Sequence, residues 1–198
     1  MSRILLETKL FTINEWAIIQ LPSSASNQLP SRGLTAVDGI INSYVFKATL
    51  EPDGKGGHWL RVDETMSTAA GVKAGDNVEL EVKPTKIWPK PEAPADFKEA
   101  LVKVPEAETL WMKITPNAQW EWVRWIRAAK ESGTREKRIE IACSKRKAGS
   151  RRPCCFNRNL CTEPSVSHNG VLLEPNTITE SLSDKQTQIS RKRKYNDT

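Results

Sequence analysis

Tryptophan and arginine interleave most densely between residues 111 and 138, WMKITPNAQWEWVRWIRAAKESGTREKR. Two chemistries come with that pattern: an indole face takes a stacked base or a guanidinium, and clustered guanidiniums take phosphate or carboxylate. At 100° per residue from Trp122, the positions Ala118, Trp122, Trp125, Ile126 and Ala129 share one broad face, which reads as core. Trp120 lies off that face with Arg124 and Arg127 on either side. That trio is either a cation–π cluster within the helix or a stacking platform with phosphate clamps beside it. The candidate contact set for an anionic partner is Trp120, Arg124, Arg127, Lys130, Arg135, Arg138, Arg146, Arg151 and Arg152.

The charge distribution points to the same region. The chain carries a formal +6, yet residues 124–158 alone hold twelve basic and three acidic side chains, so the whole excess sits there. Such a block either releases counterions onto a polyanion or serves as a solvated face.

No catalytic constellation accompanies it, and a non-enzymatic protein without a cofactor is expected. His58 has no second ligand or base at useful spacing. Gly54-x-Gly56-Gly57 lacks the preceding parallel strand and following helix of a phosphate-cradling loop, so it reads as a turn. Cys143, Cys154, Cys155 and Cys161 are separated by ten, zero and five residues, which is not the spacing of a zinc knuckle. Metal binding by Cys154, Cys155 and Cys161, and a redox-sensitive thiol cluster, stay as minor alternatives to simple packing. Arg191, Lys192, Arg193 and Lys194 match a basic nuclear-import tetrapeptide, or equally a solubilising end.

The elements that must position these residues divide the chain in two. Residues 4–20, 34–41, 44–50, 58–62 and 77–82 are β-branched or alternate in polarity, with a turn at Asn42-Ser43 and another at 51–57. Asp63 to Ala70 reads as a short helix stopped by Gly71. Six or so short strands and one small helix describe a compact β-barrel. Three prolines between Trp88 and Pro94 form a stiff connector, after which residues 94–104, 105–114, 116–132 and 135–148 read as helices. Thr115-Pro116 starts the third, and Gly133-Thr134 separates it from the fourth. The last fifty residues are poor in apolar side chains, and 163–198 reads as a disordered tail. No run of eighteen apolar residues spans a membrane, and Arg3, Glu7 and Lys9 interrupt any signal peptide. The expected location is cytoplasmic, or nuclear in a eukaryotic source.

The run WVRWIRAAKESGTREKRIE, residues 122–140, resembles the C-terminal module of the bacteriocin-protection, YdeI/OmpD-associated family, through Trp125-Ile126, Ala129-Lys130, Thr134-Arg135 and Arg138-Ile139. The first half is similar to the small β-barrel domain of unknown function often fused ahead of it, through Gly39-Ile40-Ile41-Asn42, Phe46, Gly56-Gly57-His58, Ala69-Ala70-Gly71-Val72 and Gly75-Asp76. The resemblance covers about residues 5 to 162. It implies an α+β chain: an AbrB-like split β-barrel over 1–88, a linker at 89–93, a helical module over 94–162 and the tail. It implies no reaction. The leading functional expectation is a protective or regulatory accessory protein docking on a protein partner or anionic polymer through its basic helices. A nucleic-acid-binding module and a binder or enzyme using a cleft between barrel and helices are the alternatives. A homodimer through the barrel is the assembly to test.

Overall fold

The computed structural model describes residues 2–154 and 156–175. The first half is a curled antiparallel sheet of seven strands: β1 (Ile4–Lys9), β2 (Phe11–Ile13), β3 (Trp16–Gln20), β4 (Thr35–Ile41), β5 (Tyr44–Pro52), β6 (His58–Arg61) and β7 (Asn77–Pro84), in the spatial order β1-β7-β4-β5-β6-β3-β2. Alternation decides what faces inward, since successive side chains of a strand point to opposite faces. Ile19, Val37, Ile41, Leu50, Leu60, Leu80 and Val82 fill the concave side almost without water contact. The β4–β5 hairpin turns at Asn42, whose φ of 50° is the left-handed region that asparagine tolerates. Its side chain accepts from the Glu79 N–H at 3.2 Å and ties the turn to β7.

Two short helices plug the half-barrel: α1 (Ser23–Ser26) and α2 (Glu64–Ala70). The Asp63 carboxylate caps α2 through the Met66 N–H at 2.8 Å, and Gly71 ends it at φ 65°. Residues 51 and 52, expected in the turn that follows β5, instead form its last two positions, with Glu51 opposite Trp59 and Pro52 opposite His58. Proline costs little there because a strand end need not donate inward. This one correction places a carboxylate at the rim of the sheet.

Four helices follow: α3 (Ala95–Val102), α4 (Pro105–Lys113), α5 (Pro116–Arg127) and α6 (Ser132–Lys147). They close around Phe97, Leu101, Ala107, Trp111, Trp122, Ile126 and Ala142. Phe97 meets Trp111 edge-on at 5.1 Å, and Trp122 meets Trp125 at 5.7 Å, geometries that suit aromatic quadrupoles. The break after α5 comes at residues 128–131, earlier than Gly133-Thr134 suggests. Gly133 lies inside the first turn of α6 without a left-handed φ, so it closes nothing.

The segment after α6 corrects the expected tail. Residues 161–175 return to the sheet, where β8 (Ser167–His168) and β9 (Val171–Leu172) form a small hairpin. Val166, Leu172 and Cys161 pack on Ile13, Ile18 and Trp59, and the Leu172 N–H donates to the Asp53 carbonyl at 2.8 Å. A few apolar side chains in a polar stretch are enough to order it. A Cβ at Gly54 would overlap the Gly170 carbonyl, so this strap lies directly on the β5–β6 loop. No helix among the described residues is long and apolar enough to cross a membrane. Residues 191–194, the basic tetrapeptide, lie outside the described residues.

Candidate functional site

The seam between half-barrel, α5 and strap gathers the charged groups that the sequence scatters. Thr115 caps α5, accepting from the Ala118 N–H at 3.3 Å, and Pro116 supplies the first helical position. The helix so started is covered on almost every side, with Gln119, Glu121 and Arg124 buried beside Trp122 and Ile126. A helix wheel assigns one face to the core and leaves the other to solvent. Here the second face meets β5 and the strap.

Arg127 donates to both oxygens of Glu51 at 2.7 Å, to Thr162 Oγ1 at 3.2 Å, and sits 3.0 Å from Glu163 Oε2. Burial alone would lower its pKa, but the Glu51 and Glu163 carboxylates overcome that and raise it. Arg124 is 1% exposed and donates to the carbonyls of Arg158 at 3.1 Å and Leu160 at 2.7 Å, with its Nε 3.8 Å from Glu51. For Arg124 burial outweighs the attraction of Glu51, and the pKa falls. Both guanidiniums therefore hold three segments together, and the exposed trio expected with Trp120 is not formed. Trp120 itself is half-buried and donates from Nε1 to the Pro89 carbonyl at 2.9 Å, which pins the linker to α5.

The other candidates divide. Arg135 forks onto Asp96 at 2.6 and 2.9 Å, which lowers the Asp96 pKa through that hydrogen bond. Arg138 donates to the Trp125 carbonyl and lies 5.2 Å over the Trp125 ring. Lys130 is exposed and reaches Asn169 Oδ1 at 2.7 Å. Arg146 lies near the end of α6. Arg151 and Arg152 are exposed, and Arg152 stands 3.5 Å from Glu121. Cys154 is exposed with Lys145 Nζ 3.2 Å from its sulfur, whereas Cys161 is buried and its thiol is pushed up to about 11, chiefly by burial. Those two lie in different surroundings, and among the described residues no three metal-ligating side chains converge.

One cavity of about 300 Å³ opens on the seam. Arg32, Arg124, Arg152 and Arg158 border it with Glu121 and Trp88. Four guanidiniums against one carboxylate leave a local charge of +3. Glu121 is shared, lying 3.5 Å from Arg152 and 3.3 Å from Arg158, and these two cations are half-exposed. Preformed clefts at domain junctions with a few convergent polar groups are the usual ligand geometry. Arg32, Trp88, Glu121 and Arg158 were not singled out from sequence. They stand 56, 33 and 37 residues apart, and no local pattern joins them.

Residues 6–82 match the model of a domain of unknown function (DUF1905), and residues 90–149 match that of a family described as bacteriocin-protection, YdeI or OmpD-associated. No curated protein matches the chain. The strap lies beyond both matched segments. Two successive segments of the chain are therefore similar, the first to the DUF1905 domain and the second to the bacteriocin-protection, YdeI or OmpD-associated family.

Proposed function

We propose that this is a non-enzymatic accessory protein that docks on a partner protein by receiving a phosphate or carboxylate group in the seam cleft. The observation that supports this reading is the convergence of Arg32, Arg152 and Arg158 around a cavity that also holds Trp88, with Glu121 as the one carboxylate beside them. An incoming dianion replaces Glu121 as the partner of Arg152 and Arg158, and guanidinium forks suit its oxygens. The matching family is described by bacteriocin protection, a description that specifies no reaction.

A nucleic-acid interface draws on the same block of charge. It gains less from the geometry, because Glu131, Glu136 and Glu140 are exposed among the lysines of α6 and its approach. A capture experiment from native lysate with the full chain separates the two. Retention of an unchanged partner after nuclease, and its loss in the Arg152→Glu/Arg158→Glu variant, is expected. Loss on nuclease treatment, with binding to generic duplex that falls steeply as salt rises, transfers the reading to nucleic acid.

A further inference from the structure

The outer face of the sheet carries a second surface, independent of the seam. β1 is an edge strand whose only ladder among the described residues is with β7. Natural edges are blunted by edge charges, proline, bulges or inward-pointing charges. β1 carries Glu7 and Lys9 outward but no proline and no inward charge, and its register with β7 runs unbroken from Ile4 to Lys9. Outward stand Arg3, just ahead of β1, and Leu5, Glu7 and Lys9 along it, with Leu5 73% exposed. Leu5 begins a cross-strand row that continues through Glu81 and Ile40 to Val45, itself 68% exposed. A concavity of about 480 Å³ lies over Leu5 and Ile40, rimmed by Glu7, Glu79 and Glu81.

Glu7 lies directly opposite Glu79, and neither has an ion-pair partner among the described residues. Like charges in that position destabilise a sheet. The feature makes sense when a cation arrives from outside, and β1 supplies one itself. In an antiparallel two-fold pairing centred on Leu5, that residue meets the partner's Leu5 and Arg3 meets the partner's Glu7, twice by symmetry. Centring on Leu6 sets Arg3 against the partner's Lys9, and centring on Glu7 sets two carboxylates against each other. Centring on Thr8 sets Glu7 against the partner's Lys9 but pairs only three strand residues around a polar centre. One register alone is both apolar at its centre and charge-complementary at its ends.

We propose that the protein associates with a second copy of itself through β1, in the register centred on Leu5, so that two half-barrels share one continuous sheet. Such an interface is isologous, and each copy contributes the same residues. Arg3, held 3.1 Å from Glu81 in one copy, then lies beside the partner's Glu7 and offsets the Glu7–Glu79 repulsion.

Sedimentation of the full chain tests this. A concentration-dependent dimer is expected, weakened about tenfold or more by either Arg3→Glu or Glu7→Arg, because two attractive pairs become repulsive. Mixing the two variants restores the dimer as a heterodimer, seen as energy transfer between differently labelled chains, since each repulsive pair becomes attractive again. General damage to the fold cannot produce that rescue. A wild-type monomer up to about 100 μM, where a dimer of micromolar Kd would be almost fully formed, overturns the proposal and leaves the edge to a cationic strand of another protein. A mixture no tighter than its components overturns the register.

Discussion

The interior of the half-barrel and the seam behind it are built on opposite principles. The interior is mostly apolar, filled by aliphatic side chains with Phe46 and Met66, and its few buried polar groups are scattered, as at Ser26, Thr35 and His58. The seam is charged: Glu51 meets Arg127 across 76 positions and Thr162 joins them from a third segment. An apolar core tolerates imperfect fit at modest cost per methylene, whereas a buried ion pair holds only while every member is present. The barrel should therefore fail gradually and the seam abruptly.

The most damaging single change predicted by that contrast is Glu51→Ala. It removes the carboxylate that two buried guanidiniums share, leaving Arg127 with Glu163 and Arg124 with carbonyls alone, and should cost about 3–5 kcal/mol by urea denaturation, with the strap and α5 losing protection from hydrogen exchange ahead of the barrel. A cost below about 1 kcal/mol would mean that water already serves the seam and that the contrast is overdrawn. Next comes the barrel's own tight spot. A Cβ at Gly39 would overlap the Phe46 ring, so Gly39→Ala should cost about 1–3 kcal/mol through overpacking; Gly39→Ala together with Phe46→Leu should recover much of it, as a merely steric conflict allows.

The smallest effect concerns His58, which is fully buried where the two regions touch. Its Nε2 donates to the Gly33 carbonyl at 3.0 Å, which leaves Nδ1 as an unpartnered acceptor, and burial lowers its pKa from the ordinary 6.5. The folded state thus binds its proton less readily than the unfolded chain. The stability contributed by neutral His58 is fully present above about pH 6.5 and is lost as the pH falls below that value. Thermal melts between pH 7.5 and 5.5 should show a decline that His58→Gln flattens; an unchanged slope would show that the loss comes from the carboxylates.

How much of this was legible follows from the same contrast. Alternation in residues 34–50 announces β4 and β5, Asp63 and Gly71 bracket α2, and Thr115-Pro116 starts α5, because each signal lies within a few residues of what it controls. The wheel finds Trp122 and Ile126 inside for the same reason. It misplaces Arg124 and Arg127, since their partners Glu51, Glu163 and the carbonyls of Arg158 and Leu160 come from outside the helix. Composition also hides the strap: its apolar side chains are few and interrupted by Ser, Asn, Gly and Glu, yet Cys161, Val166 and Leu172 seat it on Trp59.

The strap sets the terms on which this protein can be dissected. Cutting at the borders of the two matched families, 6–82 and 90–149, yields two fragments that both lack residues 158–175. The sheet fragment then exposes Trp59, Ile13 and Ile18, and the helical fragment carries Arg124 and Arg127 into water without Glu51 or the strap carbonyls. A shuffling event that moved either unit to another chain would have to bring the strap with it. Two segments separable on paper share one physical lid, so the smallest unit that preserves the seam runs from β1 through β9.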